Sequence, residues 1–267
     1  MSKHVPFETV VQMQYDLGNK LAGADWLVAT DRVDLGSALR DEAVEAAISA
    51  GWKPWWSKSA SKADFGNAQL EIVDKFHFLM QGLLQDQYAK IGDDLGDLPL
   101  SAEDATLFLV RPVAELLEST YADNGGDTGQ AESVVKKINT FLGSYLFLGS
   151  ESSLPFFWEL CHSLSLNRDL LVSFYLAKNT LNHFRKAKNY KGDVEGAPPY
   201  TKMWVAPTSI VGSDTVTDPG KEDNDILMGY VRNALENGET LTAESIYATL
   251  EKLYGHYVPS VGAGEPA

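Results

Sequence analysis

Two acidic pairs constrain this chain more than any other feature: Glu42-Ala-Val-Glu45 and Glu71-Ile-Val-Asp74. Each has the i,i+3 spacing that puts both side chains on one face of an α-helix, about a turn apart. Both sit in stripes that otherwise read as core. Leu35, Ala38 and Leu39 lead into Glu42, while Leu70, Val73, Phe76 and Leu79 surround the second pair. Four carboxylates turned toward a packed interior repel one another and are costly to desolvate unaided. A bound cation answers both problems. An all-oxygen ligand set without cysteine favours a hard ion, Mg²⁺ with Mn²⁺ as the alternative. Glu42, Glu45, Glu71 and Asp74 are therefore the candidate metal ligands.

The surrounding pattern is helical throughout. Phe7, Val10, Val11, Gln14, Leu17 and Leu21 follow helical spacing over 7–22. Asp34 and Asp64 read as N-caps of helices over about 35–49 and 65–90, with a tryptophan-rich turn, Gly51-Trp52-Lys53-Pro54-Trp55-Trp56, between them. Ser101-Ala-Glu-Asp104 resembles a capping box opening a helix over 101–120. Further helices are expected near 130–147, 153–164, 168–187 (capped by Asn167), 226–237 and 242–254, with a long loop over 190–225. No strand alternation stands out, so the class is all-α. One catalytic domain over 1–258 and a frayed tail over 259–267 are expected.

Net charge of −15 argues against a general nucleic-acid surface, which needs a basic face. The single cysteine, Cys161, forms no internal disulfide, which suits a reducing compartment. The first residues lack the apolar stretch of a signal peptide, and no run is long enough to span a bilayer. A cytoplasmic protein without a membrane partner is expected.

Against that acidity, cations concentrate in one stretch: Lys178, Arg185, Lys186, Lys188, Lys191 and Lys202. Lys178, Asn182 and Arg185 are related by i,i+4 and i,i+3 steps and share a helical face. Arg forks and Lys point charges suit phosphate oxygens, although such a face can also be merely solvated. Carboxylates for a metal together with cations for phosphate describe phosphoryl hydrolysis or transfer. The sequence holds no Gly-x-x-x-x-Gly-Lys loop, which removes the P-loop class.

The order of these motifs is similar to that of the dimeric dUTPases. Glu42-x-x-Glu45, Trp52-Lys53-x-Trp55, Glu71-Ile-Val-Asp74-Lys-Phe-His77-Phe78 and Lys178-Asn179-x-Leu181-Asn182-x-Phe184-Arg185 carry the resemblance, with Asn189-Tyr190-Lys191, Lys202-x-Trp204 and Glu222-Asp223-Asn224. That family belongs to the all-α NTP pyrophosphatases, related to phage dCTPase/dUTPases and MazG. The resemblance implies a helical bundle of that type with an added helical segment at about 92–150. It further implies that Glu42, Glu45, Glu71 and Asp74 are catalytic residues binding Mg²⁺, with Glu45 orienting or deprotonating the attacking water. Lys178, Arg185, Lys191 and Lys202 would hold the substrate's phosphates, with Tyr190 nearby and Asn182 also binding substrate. Gln14, Trp52, His77, Phe78 and Asn224 would form the nucleoside pocket, Phe78 crowding out a ribose 2′-hydroxyl. The implied reaction is hydrolysis of dUTP, and of dUDP, to dUMP by a homodimer. Gly18 departs from the family pattern, which usually has Asn directly after Gln-x-x-Leu; here Asn19 follows one residue later.

Rival readings are a dCTP or modified-deoxynucleotide pyrophosphatase of the same fold and a non-catalytic regulatory protein. A third is a di-iron bundle using Asp74-x-x-His77 and Glu159-x-x-His162.

Overall fold

Helix ends in this protein are set by local chemistry that the chain announces. A computed structural model describes residues 5–23, 25–28, 34–52, 62–95, 98, 100–121, 131–190, 192, 195, 200, 202–204, 209–211, 214–216 and 221–255. The chain divides into two units, Ser2–Tyr175 and Leu176–Ala267.

The first unit opens with α1 (Phe7–Ala22), α2 (Leu35–Ser49) and α3 (Phe65–Leu95). Asp34 caps α2 by accepting the Ser37 N–H at 2.9 Å, and Asp64 accepts the Asn67 N–H at 3.0 Å in the first turn of α3. α3 runs five residues beyond its expected end near 90. Then come α4 (Ala102–Ala105), a π-helical turn over Thr106–Val110 and α5 (Arg111–Thr120).

The π turn has a visible cause. Pro112 has no N–H and its ring crowds the carbonyl four residues back, that of Phe108. Widening the turn removes the clash, with the Arg111 N–H reaching the Thr106 carbonyl. Gln87 of α3 supplies the missing donor, its Nε2 lying 3.1 Å from the Phe108 oxygen. The sequence pattern over 101–120 reads as uninterrupted helix and does not reveal this.

α6 (Ala131–Leu148) and α7 (Ser150–Ser163) follow, joined at Gly149, whose φ of 87° favours glycine. Their core partner is α3. Phe76 stacks on Phe157 with centroids 5.4 Å apart, and Phe7, Trp158 and Tyr175 close around it. These rings are fully or almost fully buried. Gly82 lets α3 approach the α6–α7 junction, since a Cβ there would lie 2.6 Å from the Ser150 hydroxyl.

α8 (Arg168–Ala187) begins in the first unit, capped as expected by Asn167, and continues into the second. Within the second unit, the stretch expected as a plain loop contains two minimal antiparallel ladders. β1 (Met203–Trp204) pairs with β4 (Lys221–Glu222), and β2 (Ser209–Val211) pairs with β3 (Asp214–Val216). Strands of two or three residues carry no readable alternation. α9 (Asp223–Glu236) and α10 (Ala243–Gly255) complete the unit, with Phe184 packed edge-on against Tyr200, Tyr247 and Tyr254. The protein is all-α in class, and among the described residues no helix is long and apolar enough to cross a membrane.

Candidate active site

The acidic pairs converge. Carboxylate oxygens of Glu42 and Glu45 on α2 and Glu71 on α3 lie within 4.8 Å of one another. The packing differs from the sequence expectation of carboxylates aimed into the core. The buried stripe of α2 runs through Leu35, Leu39, Ala43, Ala46 and Ala47, so the acids sit on its edge. Glu45 is exposed, while Glu42, Glu71 and Asp74 are half-buried. The site therefore opens to solvent on one side.

Electrostatics set this cluster apart from ordinary surface acids. Burial pushes the Glu42 carboxyl up to about 8, and the Asp74 charge, a hydrogen bond with Glu71 and the Glu71 charge push the same way. Asp74 is thus electrostatically part of the cluster, although its oxygens fall outside the mutual 4.8 Å set. Glu42 Oε2 is buried with no hydrogen-bond partner. A hard divalent ion fits this donor set: it would take up the orphaned oxygen and displace the proton that Glu42 otherwise keeps.

Beneath the acids stands Lys75, with no exposed surface. It lies between Ile72 and Leu79 on the buried stripe of α3, and its ammonium donates to the Glu42 carbonyl and, at 3.5 Å, to the Glu71 carbonyl. Burial lowers it to about 8, against the pull of the surrounding carboxylates.

Gln14, buried on α1, is held from two sides. Its Oε1 accepts from the Tyr175 hydroxyl at 3.0 Å and lies 3.0 Å from His77 Nδ1. An amide oxygen only accepts, so His77 carries its proton on Nδ1 here. Tyr175 also packs on the His77 ring, centroids 4.2 Å apart. Phe78 is half-buried on the same helix, and Trp52 is exposed at the end of α2. Gly18 finds its explanation nearby. The Trp26 indole covers it so closely that a Cβ would lie 2.5 Å from Cε2, and the indole N–H donates to Asn19 Oδ1 at 2.9 Å.

In the second unit, Lys178 and Arg185 are buried and Asn182 half-buried. Arg185 is not a solvated cation. Its guanidinium forks onto Asp223, with Nε 2.8 Å from Oδ2 and Nη2 bonded to Oδ1; Asp223 is fully buried and also takes the Tyr200 hydroxyl at 2.8 Å. Burial acts to lower Arg185, but the bond to Asp223 and its charge outweigh it and raise the group. Asn189 ends the helix at φ 63°, a left-handed position Asn tolerates, which turns Tyr190 back so that its N–H reaches the Arg185 carbonyl at 2.9 Å. The Tyr190 ring then lies between Arg185 and Lys202, 5.5 and 5.3 Å from its centroid. Asn224 Oδ1 is buried without a hydrogen-bond partner. Lys188 is committed elsewhere, to Glu251 at 2.9 Å. Lys191, Trp55 and Trp56 lie outside the described residues.

The family model for dUTPase matches residues 6–190, more than half of the chain. The protein belongs to the dUTPase family. No curated protein matches it. Membership agrees with the helical architecture and with an acidic cluster suited to the divalent metal such enzymes generally use. It carries hydrolysis of dUTP as the family's general activity.

Within this dUTPase-family chain, the motif residues gather into an acidic set, the Gln14–His77 pair and the cationic turn at the end of α8. Sequence reasoning missed their supports. Tyr175 stands three residues before Lys178, on the neighbouring turn of α8. Asp223 sits inside a motif from which only Asn224 was drawn. Lys75 follows Asp74 directly, and its core-stripe register was the available signal. The di-iron pattern is not assembled: among the described residues the metal-capable group is Glu42, Glu45 and Glu71, and His162 packs edge-on against Tyr121, centroids 5.9 Å apart.

Proposed function

We propose that this protein is a Mg²⁺-dependent dUTP diphosphatase, with Mn²⁺ able to substitute, that also hydrolyses dUDP. The observation that carries the reading is the convergence of Glu42, Glu45 and Glu71 beside Asp74, in a chain of this family. Glu42, Glu45, Glu71 and Asp74 would hold the metal. When bound, a divalent ion polarises phosphate oxygens and offsets charge developing on them.

Glu45, the most exposed of the acids, orients a water molecule and accepts its proton. The water oxygen bonds to phosphorus, the α–β bridging P–O bond breaks, and dUMP and pyrophosphate leave. Lys178, Arg185, Lys191 and Lys202 bind the phosphate chain, with Tyr190 nearby and Asn182 also binding substrate. Asp223 keeps the Arg185 fork aligned for that task. Gln14, Trp52, His77, Phe78 and Asn224 form the nucleoside pocket, Phe78 excluding a 2′-hydroxyl. The protein acts as a homodimer in the cytoplasm.

Glu71→Gln tests this reading, because it keeps the volume and removes one anionic ligand. Turnover of dUTP should fall at least about 10²-fold, as expected for a lost charge-stabilising interaction, with an unchanged circular dichroism spectrum. Near-normal turnover in that variant would sink the metal-site assignment.

A further inference from the structure

A lysine with no exposed surface is rare, because its ammonium gives up water entirely. Lys75 gives it up directly beneath four carboxylates. Its Nζ bonds to the carbonyl of Glu42 on α2 and, at 3.5 Å, to that of Glu71 on α3. One ammonium therefore ties together the two helices that supply the two acidic pairs. Carbonyl oxygens satisfy its donors but do not neutralise it. The opposite charge comes from Glu71, Asp74 and Glu45, with Glu42 adding to it once it loses its proton; all four interact with Lys75 electrostatically. A methionine would fit this apolar stripe with less desolvation, so packing does not account for the charge.

We propose that Lys75 is the resident counter-cation of the acidic site, holding the two carboxylate pairs in register in the metal-free protein and weakening the grip on the divalent ion once it binds. Lys75 is thus a positioning residue that never touches substrate. Its positive charge offsets part of the carboxylate repulsion when no metal is present. With metal present, the same charge repels the ion, which keeps it exchangeable. The inference rests on the metal-binding reading of the acidic cluster.

The experiment pairs metal-free thermal unfolding with Mn²⁺ titration by calorimetry at neutral pH, on wild type, Lys75→Met and Lys75→Arg. Lys75→Met should bind Mn²⁺ about tenfold more tightly, the scale of one unit charge acting across a partly solvated site, and gain more Tm from the ion than wild type does. Lys75→Arg should stay near wild type in both measurements. A purely structural lysine would lower the metal-free and metal-bound Tm equally and leave Mn²⁺ affinity unchanged, and that result overturns the proposal, as does weaker binding. If Lys75→Met does not fold with or without metal, Lys75→Gln, which keeps a neutral donor, decides by the same Mn²⁺ affinity. Failure of the wild type itself to bind Mn²⁺ would instead overturn the metal reading on which the inference stands.

Discussion

Replacing Glu42 by Gln should make the metal-free protein more stable. Burial, with Asp74 and Glu71 adding to it, raises the Glu42 carboxyl from the usual 4.5 to about 8. Near neutrality the folded protein holds a proton on Glu42 that the unfolded chain releases. Because the folded value is raised, the cost is absent below about 4.5, grows as pH rises and is complete near 8. At about 1.4 kcal/mol per pH unit, the cost already reached at neutral pH is about 3 kcal/mol before screening. Glu42 is only half-buried and shares its proton with Glu71, so screening reduces this to about 1–2 kcal/mol.

Glutamine avoids the cost while its amide still donates to Glu71. At about 2–4 °C per kcal/mol for a chain of this size, the variant should melt about 2–8 °C higher in EDTA. The assay is thermal unfolding from pH 4.5 to 8, with EDTA or saturating Mg²⁺. Lys75 is lowered from 10.5 to about 8, so its titration enters only at the top of this window. The variant's advantage should widen with pH in EDTA, and its gain from Mg²⁺ should be smaller than that of wild type. A variant less stable than wild type in EDTA at neutral pH, or an advantage that shrinks as pH rises, refutes the reasoning.

Asp223→Asn should cost about 3 kcal/mol in urea unfolding, because it leaves the buried Arg185 guanidinium without its counter-charge; an unchanged urea midpoint would show that the pair does not hold the unit together. Gly18→Ala should lower Tm despite alanine's better helix propensity. The new Cβ would lie 2.5 Å from the Trp26 ring, an overpacking cost of about 1–3 kcal/mol against a propensity gain of about 1. Trp26 emission should shift to the red, and a stabilised variant would contradict the packing described here.

What the sequence made legible was local. Asp34, Asp64 and Asn167 announce helix starts because a capping oxygen acts on an N–H two or three residues away. The acidic pairs were legible for the same reason, since i,i+3 spacing fixes a shared face. That α2 and α3 bring those faces together follows from no local spacing; the charge problem of two such pairs and the family resemblance point to it.

The supports of the site were hidden because they are tertiary. Arg185 and Asp223 are 38 residues apart, and Tyr175 meets Gln14 across 161. A motif names the residue that acts but not the one that holds it. Gly18 illustrates the reverse case. It is a departure in sequence, yet in the fold it is the space that Trp26 fills, with Asn19 receiving the indole N–H.

Metal-dependent hydrolysis of dUTP is best tested by pyrophosphate release with Mg²⁺ from dUTP, dCTP, dTTP, dATP, dGTP and UTP. Fast turnover of dUTP with stoichiometric dUMP is expected, with little from the other nucleotides and none in EDTA. No turnover of dUTP, or turnover that persists undiminished in EDTA, would contradict it.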